Sequence, residues 1–342
     1  GLGEDWNKTT LYGAFENLLD EIKDDERFRP DLVVYIGGHI VSKKLKSYLR
    51  SLKGVEQIRI SQEADIEDTF MHLTKVMDLP NSDAMSWLDN FGWHNQWEDY
   101  RKLWMDALAK SYERKENFKP EFSSLATVKE FFSQLQKVEP QDFKAFTLGG
   151  KDAQDDGIYD RKFDTFLPGM MSSVFSGNSS AIRLMNLYAD RHVYCNRGVN
   201  GIEGSLSTAV GFSMCKNKSD KHVYCVLGDL SFFYDQNALW NRNLNGKLRI
   251  IVLNNGGGAI FGKFQGLKES QAREEMIMAK HHATAEGICS QNEVKYLAAH
   301  TMEEMEQGIS QLIHAESERP MLLEVFTDMD VDNEMLEAIQ KC

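Results

Sequence analysis

Two apolar runs in the 342-residue chain end in residues able to hold a cation. The run "HVYCVL" leads into Gly228-Asp229, and "LRIIVL" leads into Asn254-Asn255 and then the glycines Gly256 to Gly258. Carboxylate and amide oxygens are the ligands a hard divalent cation prefers, and a glycine after Asn255 can turn its carbonyl inward as a third. Mg2+ keeps near-octahedral oxygen coordination and takes its other positions from water and phosphate oxygens. The pattern therefore points to a metal-bridged diphosphate. A GxxxxGK(S/T) phosphate loop is absent from the sequence, and "GGGAIFG" lacks GxGxxG spacing.

These residues need strands to carry them. Two further apolar runs end in Gly177-Asn178-Ser179 and Asn196-Arg197-Gly198. Any one such turn reads equally well as ordinary loop chemistry. Their gathering at the ends of successive strands is what marks a ligand site, because open parallel sheets bind ligands beyond the carboxyl ends of their strands. From Ser173 to Phe326 apolar strands alternate with helical stretches, including helices from Ser179, Ser205 and Met302. That rhythm predicts an α/β, doubly wound parallel sheet.

Upstream, an amphipathic helix is expected over Lys8 to Ile22, then a strand "LVVYIGG", a helix from Ser42 and a strand "QIRIS", the order of a Rossmann-like unit. Trp93, Trp97, Tyr100, Trp104 and Leu108 recur at three- and four-residue steps and form one helical packing face. The Gly- and Asp-rich stretch from Thr147 to Asp160 reads as a linker, giving a first domain over residues 1–155 with a helical insertion and a second over 156–342.

Composition narrows the partners. The formal charge of -13 with no long basic segment disfavours nucleic acid and anionic membranes, and no apolar run reaches the ~20 residues of a membrane span. Five cysteines without metal-ligand spacing read as free thiols, and the adjacent His281-His282 pair diverges on a helix. A soluble, cytoplasmic protein is expected.

The segments "GNSSAIRL", "NRGVNGIEGSLSTAVG", "GDLSFFYDQNAL" and "NNGGGAIF" together resemble the thiamine diphosphate (ThDP) enzymes. Within them they are most similar to the MenD, or SEPHCHC synthase, family of menaquinone biosynthesis. "GGHIVSKKLKSYL" and "DTFMHLTKVM" are similar to that family's central domain. The resemblance is dense from Phe175 to Gly262, patchy from Leu32 to Met77 and weak from Trp87 to Asp160.

The resemblance implies ThDP with Mg2+ or Mn2+ as cofactors and Asp229, Asn255 and the Gly257 carbonyl as metal ligands. Gly228, Leu230 and Ser231 would complete the diphosphate turn, and Ile202 would prop the bent cofactor. Ser179, Arg183 and Arg197, with Lys43 and Lys44 from the central domain, would contact substrate, and Ile260 and Phe261 would wall the pocket. The arginines suit carboxylates through their planar fork. Read singly, Lys43-Lys44 is a solvated helix face, Arg183 a surface ion pair, and Ile260 and Phe261 core residues.

The implied reaction decarboxylates 2-oxoglutarate and adds the succinyl unit to isochorismate, in a homodimer or homotetramer. No residue of this chain, Glu203 included, is assigned as the glutamate that activates the cofactor. That group is expected in an N-terminal pyrimidine-binding domain outside these residues, leaving the chain inactive alone. Another ThDP-dependent 2-oxo-acid decarboxylase or carboligase, and a non-catalytic diphosphate-binding module, remain open readings.

Overall fold

The structure is a computed structural model and describes residues 15–36, 40, 42–62, 66–90, 98–139, 171–198, 201–215, 221–263 and 270–341. The linker expected over Thr147 to Asp160, the start of the Lys8 helix, and Trp93 and Trp97 lie outside the described residues. The chain forms two compact units, whose described parts are residues 15–118 with 340–341, and residues 119–339.

The first unit is built on a three-stranded parallel sheet, β1 (Leu32–Ile36), β2 (Glu56–Ser61) and β3 (Lys75–Asp78), in the order β1-β2-β3. Ser42 caps α2 (Lys43–Ser51) by accepting from Leu45 N at 3.0 Å, which fixes where the β1-to-β2 crossover helix begins. Helix α1 (Phe15–Ile22) packs Leu18, Leu19 and Ile22 against Phe28, Tyr48 and Leu52. Helix α3 (Asn81–Asn90) follows β3, and of the aromatic periodicity Tyr100, Trp104 and Leu108 lie on α4 (Glu98–Asn117). Trp104 packs edge-on to Phe28 at 5.3 Å, and the Tyr100 hydroxyl donates to Phe28 O at 2.9 Å. The described part of this face, Tyr100, Trp104 and Leu108, is packing.

The second unit carries six parallel strands: β4 (Ser173–Ser176), β5 (Val193–Cys195), β6 (Val223–Gly228), β7 (Leu248–Asn254), β8 (Lys295–Ala299) and β9 (Met321–Phe326). Their order is β5-β4-β6-β7-β9-β8. Strands β6 and β7 are buried along almost their whole length and mostly apolar because both faces are covered. Val223, Cys225 and Leu227 join a core with Leu206 and Ala209 of α7 (Ser205–Met214), Phe232 of α8 (Asp229–Asp235) and Cys289 of α9 (Glu286–Gln291). The alternate residue Tyr224 meets Phe131 of α5 (Ser124–Val138) at 5.1 Å on the opposite face. Helix α5, read in the sequence within the first domain, thus packs with the second sheet.

Two further helices belong to this unit. Thr301 caps α10 (Met302–His314) through Glu304 N at 3.2 Å, and buried Arg249 takes up the carbonyls of Leu312 and Ala315 where that helix ends. Helix α11 (Met329–Lys341) follows β9 and was not legible in the sequence. The chain leaves β4 to form β5 at one edge, then returns to form β6 on the other side of β4. The direction of winding reverses there, so the loops after β4 and β6 diverge and open a crevice at the carboxyl ends.

Candidate diphosphate and cation site

Asp229 opens α8 directly after β6 and is 2% exposed. Its Oδ1 accepts from Leu230 N at 2.6 Å and its Oδ2 from Gly257 N at 2.9 Å. The second bond joins the tip of β6 to the glycine loop after β7. Both bonds come from backbone N–H groups, which fix the direction in which the carboxylate oxygens point.

The loop after β7 turns through Gly256 at φ +79° and Gly257 at φ +150°. A Cβ at Gly257 would meet Met278 O at 2.6 Å, so both conformation and space demand glycine there. The neighbouring segment is stitched to this loop by Gly258 N to Met278 O at 2.7 Å and His281 N to Gly256 O at 2.9 Å. The Gly257 carbonyl accepts from Ala259 N at 3.1 Å, which leaves its second lone pair for another partner.

Asn255 donates its Nδ2 to Asp332 Oδ2 at 2.8 Å. The amide nitrogen is therefore committed and the amide oxygen is the end left over. Asp332 also accepts from Ser124 N and Ser124 Oγ, each at 2.7 Å, and from Thr327 Oγ1 at 3.0 Å. Burial pushes its pKa up, against the pull of those bonds.

His281 is a participant that the sequence did not reveal. Its Nε2 lies 3.3 Å from Asp229 Oδ2, close enough for an ion pair with the protonated ring but not aligned as a hydrogen bond. Its Nδ1 accepts from Ala283 N at 3.1 Å, which places the neutral ring's proton on Nε2, facing Asp229. The neighbouring carboxylate raises the His281 pKa, and burial opposes it. His281 reaches the site only because the segment after Met278 folds back along the glycine loop; a His-His pair in sequence carries no sign of that.

Around the crevice, the Ser231 hydroxyl donates to Ile202 O, tying the Ile202 turn to α8. Asp235 accepts from Ser207 N at 2.7 Å and from the Ser207 hydroxyl, capping α7 just beyond that turn. Gly228 has open space where a Cβ would stand. Ser179 sits at φ 67°, a left-handed conformation costly for a residue other than glycine, at the start of α6 (Ser180–Tyr188), which carries Arg183. Arg197 donates Nη1 to Asn178 Oδ1 at 2.7 Å, and Asn178 Nδ2 donates to Asn196 O at 2.9 Å, so the ends of β4 and β5 form one network. Ile260 is half-buried and Phe261 is 41% exposed, so neither is core. Lys43 and Lys44 begin α2 of the first unit, where Lys44 pairs with Asp20 at 2.6 Å.

The donor set at the two tips is oxygen throughout. Among the described residues there is no group of three or more His, Cys, Asp or Glu side chains placed to hold a metal ion. A cation here would rely on one carboxylate, one amide and one carbonyl, with the balance from phosphate or water, which is how Mg2+ is commonly held. The residues fit a metal-bound diphosphate.

Residues 176–325 match the family profile described as thiamine pyrophosphate enzyme, C-terminal TPP binding domain. Across nearly the whole chain, similarity runs to curated proteins named 2-succinyl-5-enolpyruvyl-6-hydroxy-3-cyclohexene-1-carboxylate (SEPHCHC) synthase. The chain is a relative of the SEPHCHC synthases. The Phocaeicola vulgatus protein is 33% identical over 94% of this chain and 51% of its own length. The Bacteroides thetaiotaomicron protein is 33% identical over 90% of this chain and 49% of its own, and the Christiangramia forsetii protein 33% over 96% and 51%. The chain spans about half the length of these SEPHCHC synthases. The α/β parallel architecture agrees with the matched TPP-binding domain. No helix among the described residues is long and apolar enough to cross a membrane.

Proposed function

We propose that this chain supplies the diphosphate-holding half of a ThDP-dependent SEPHCHC synthase. The observation that carries the reading is the 2.9 Å bond from Gly257 N to Asp229 Oδ2, which gathers the two oxygen-bearing strand tips into one place. Asp229, the Asn255 amide oxygen and the Gly257 carbonyl would hold Mg2+ or Mn2+ against the diphosphate. Leu230, Ser231 and Gly228 would line the turn beneath it, and Ile202 would press on the cofactor's middle.

When bound, ThDP supplies the electron sink that lets a 2-oxo acid lose CO2 and its acyl carbon attack an acceptor. The chain's own residues orient the partners. Arg183 and Arg197 offer guanidinium forks for carboxylates of 2-oxoglutarate and isochorismate, and Ser179 a hydroxyl. A chain of formal charge -13 needs such local positive groups to hold dianionic substrates. Ile260 and Phe261 form the apolar wall. Lys43 and Lys44 are proposed as further contacts from the central domain. The activating glutamate is proposed to lie in the part of the synthase that these residues do not include, and the active form to be a homodimer or homotetramer.

Calorimetric titration of the protein with Mg2+ and ThDP tests the reading. Wild type should bind only with both present, and Asp229→Ala should reduce binding below detection. Binding that ignores Asp229 would refute the metal assignment. Product analysis with the full-length protein on 2-oxoglutarate against pyruvate, with isochorismate as acceptor, separates this synthase from other ThDP carboligases.

A further inference from the structure

An asparagine amide has an acceptor end and a donor end of nearly the same shape. Only the oxygen can bind a cation; the reversed amide would turn two N–H groups toward it. Something must therefore choose the orientation of Asn255. In every hydrogen bond it makes here the Asp332 carboxylate accepts, so the group of Asn255 that faces it is the nitrogen.

Asp332 is well placed to enforce that choice because it is itself immobilised. It lies in the first turn of α11 and is 9% exposed. Its Oδ1 is bound by Ser124 N at 2.7 Å, and its Oδ2 by Ser124 Oγ at 2.7 Å and Thr327 Oγ1 at 3.0 Å, besides Asn255 Nδ2 at 2.8 Å. These donors come from the start of α5, the segment after β9 and the tip of β7. The helix is anchored beside the glycine loop by a cluster of Met329, Ala259 and Met278 and by Asn333 Nδ2 donating to Ala259 O at 3.4 Å.

We propose that Asp332 is a positioning residue for the cation site, holding the Asn255 amide with its oxygen turned to the metal and so setting cation affinity without being a ligand. The inference rests on the reading of Asp229 and Asn255 as cation ligands. In Asp332→Asn, the Ser124 backbone N–H can only donate and so keeps the amide oxygen at the Oδ1 position; the NH2 then takes the Oδ2 position, facing Asn255 and the Ser124 and Thr327 hydroxyls, which can rotate to accept from it. Asn255 would then reverse to offer its oxygen to that NH2 and would turn its own nitrogen toward the cation. The exchanged pair, Asn255→Asp with Asp332→Asn, restores a matched contact: the NH2 at 332 donates to one carboxylate oxygen at 255, and the other oxygen is left for the metal.

The test is a set of Mg2+–ThDP titrations by calorimetry, repeated with Mn2+ followed by its electron spin resonance signal, on wild type, Asp332→Asn, Asn255→Asp and the exchanged pair. Outer-shell partners of metal ligands typically govern about 10- to 100-fold in metal affinity. Asp332→Asn is expected to lose that much, and the exchanged pair to regain at least about tenfold over the weaker single variant. Wild-type affinity in Asp332→Asn would overturn the inference while leaving the cation site standing. So would a doubly exchanged variant no better than the singles, since that is general damage to packing. If Asp332→Asn does not fold, the exchanged pair carries the test alone, with cation-dependent binding supporting the inference and its loss overturning it. A wild type that binds no Mg2+–ThDP, or binding unaffected by Asp229→Ala, would bring down the proposed function and this inference with it.

Discussion

At the scale of single residues, the site divides into groups that announce themselves and groups that do not. Asp229 and Asn255 are legible because each follows an apolar run and precedes or adjoins glycine, all within a few positions of sequence. That a glycine follows Asn255 is legible too, Gly257 in particular is what the resemblance implies, and its requirement can be measured. Gly257→Ala would force a Cβ into a backbone at φ +150° and to within 2.6 Å of Met278 O. Unusual backbone conformations of this kind cost about 1–3 kcal/mol, and the close contact adds to that. The variant should lower the urea midpoint and weaken Mg2+–ThDP binding together, whereas Gly287→Ala, in helix α9 where a Cβ meets open space, should lower neither. His281 and Asp332 could not be found in this way. Asp332 meets Asn255 across 77 positions of chain, and nothing local to "DMDVDNE" says which strand tip it will face.

At the scale of elements, the inner strands of the second sheet, β4, β6, β7 and β9, are legible because burial on both faces makes them mostly apolar runs. Their order is not, since the placing of β9 between β7 and β8 depends on crossovers that leave no local trace. Nor is α11, whose polar face dominates its short sequence. One buried group shows how the order matters. Glu324 in β9 is fully buried and accepts from Asn254 Nδ2 at 2.7 Å, Ala285 N at 2.9 Å and the Tyr296 hydroxyl at 2.7 Å. It ties β9 to the end of β7, the start of α9 and β8, and burial with the adjacent Glu324 carboxylate raises the Tyr296 pKa. Glu324→Gln would replace one accepting oxygen with a donor among three donors. Leaving one of them unsatisfied in the interior costs about 1–3 kcal/mol, so the denaturant midpoint should fall accordingly. Because Asn254 adjoins Asn255, cation-dependent ThDP binding should weaken in the same variant. A change in stability with unaltered binding would show that the network supports the sheet without reaching the site.

At the scale of the whole molecule, the net charge of -13 describes solubility and the need for local cations, but the response to acid depends on which groups are buried. His222 precedes β6, with the Tyr224 hydroxyl 3.5 Å from its Nδ1. Burial, with smaller contributions from Arg249, Lys247 and Lys221, depresses its pKa from 6.5 to about 4. The folded protein therefore holds His222 neutral through a range in which the unfolded chain takes up a proton. Between pH 6.5 and about 4 the unfolded state binds more protons, so this group makes stability fall as pH falls, and the loss is complete below the folded value. His281, with its pKa raised by Asp229, acts with the opposite sign: its contribution is present at low pH and is lost as pH rises through its folded value. The two can be separated by replacing His222 alone. His222→Gln keeps a polar side chain but has no proton to gain, so its melting temperature should decline less than that of wild type from pH 6.5 to pH 4.5. Equal slopes for the two proteins would show that His222 is not the residue through which acid reaches this sheet.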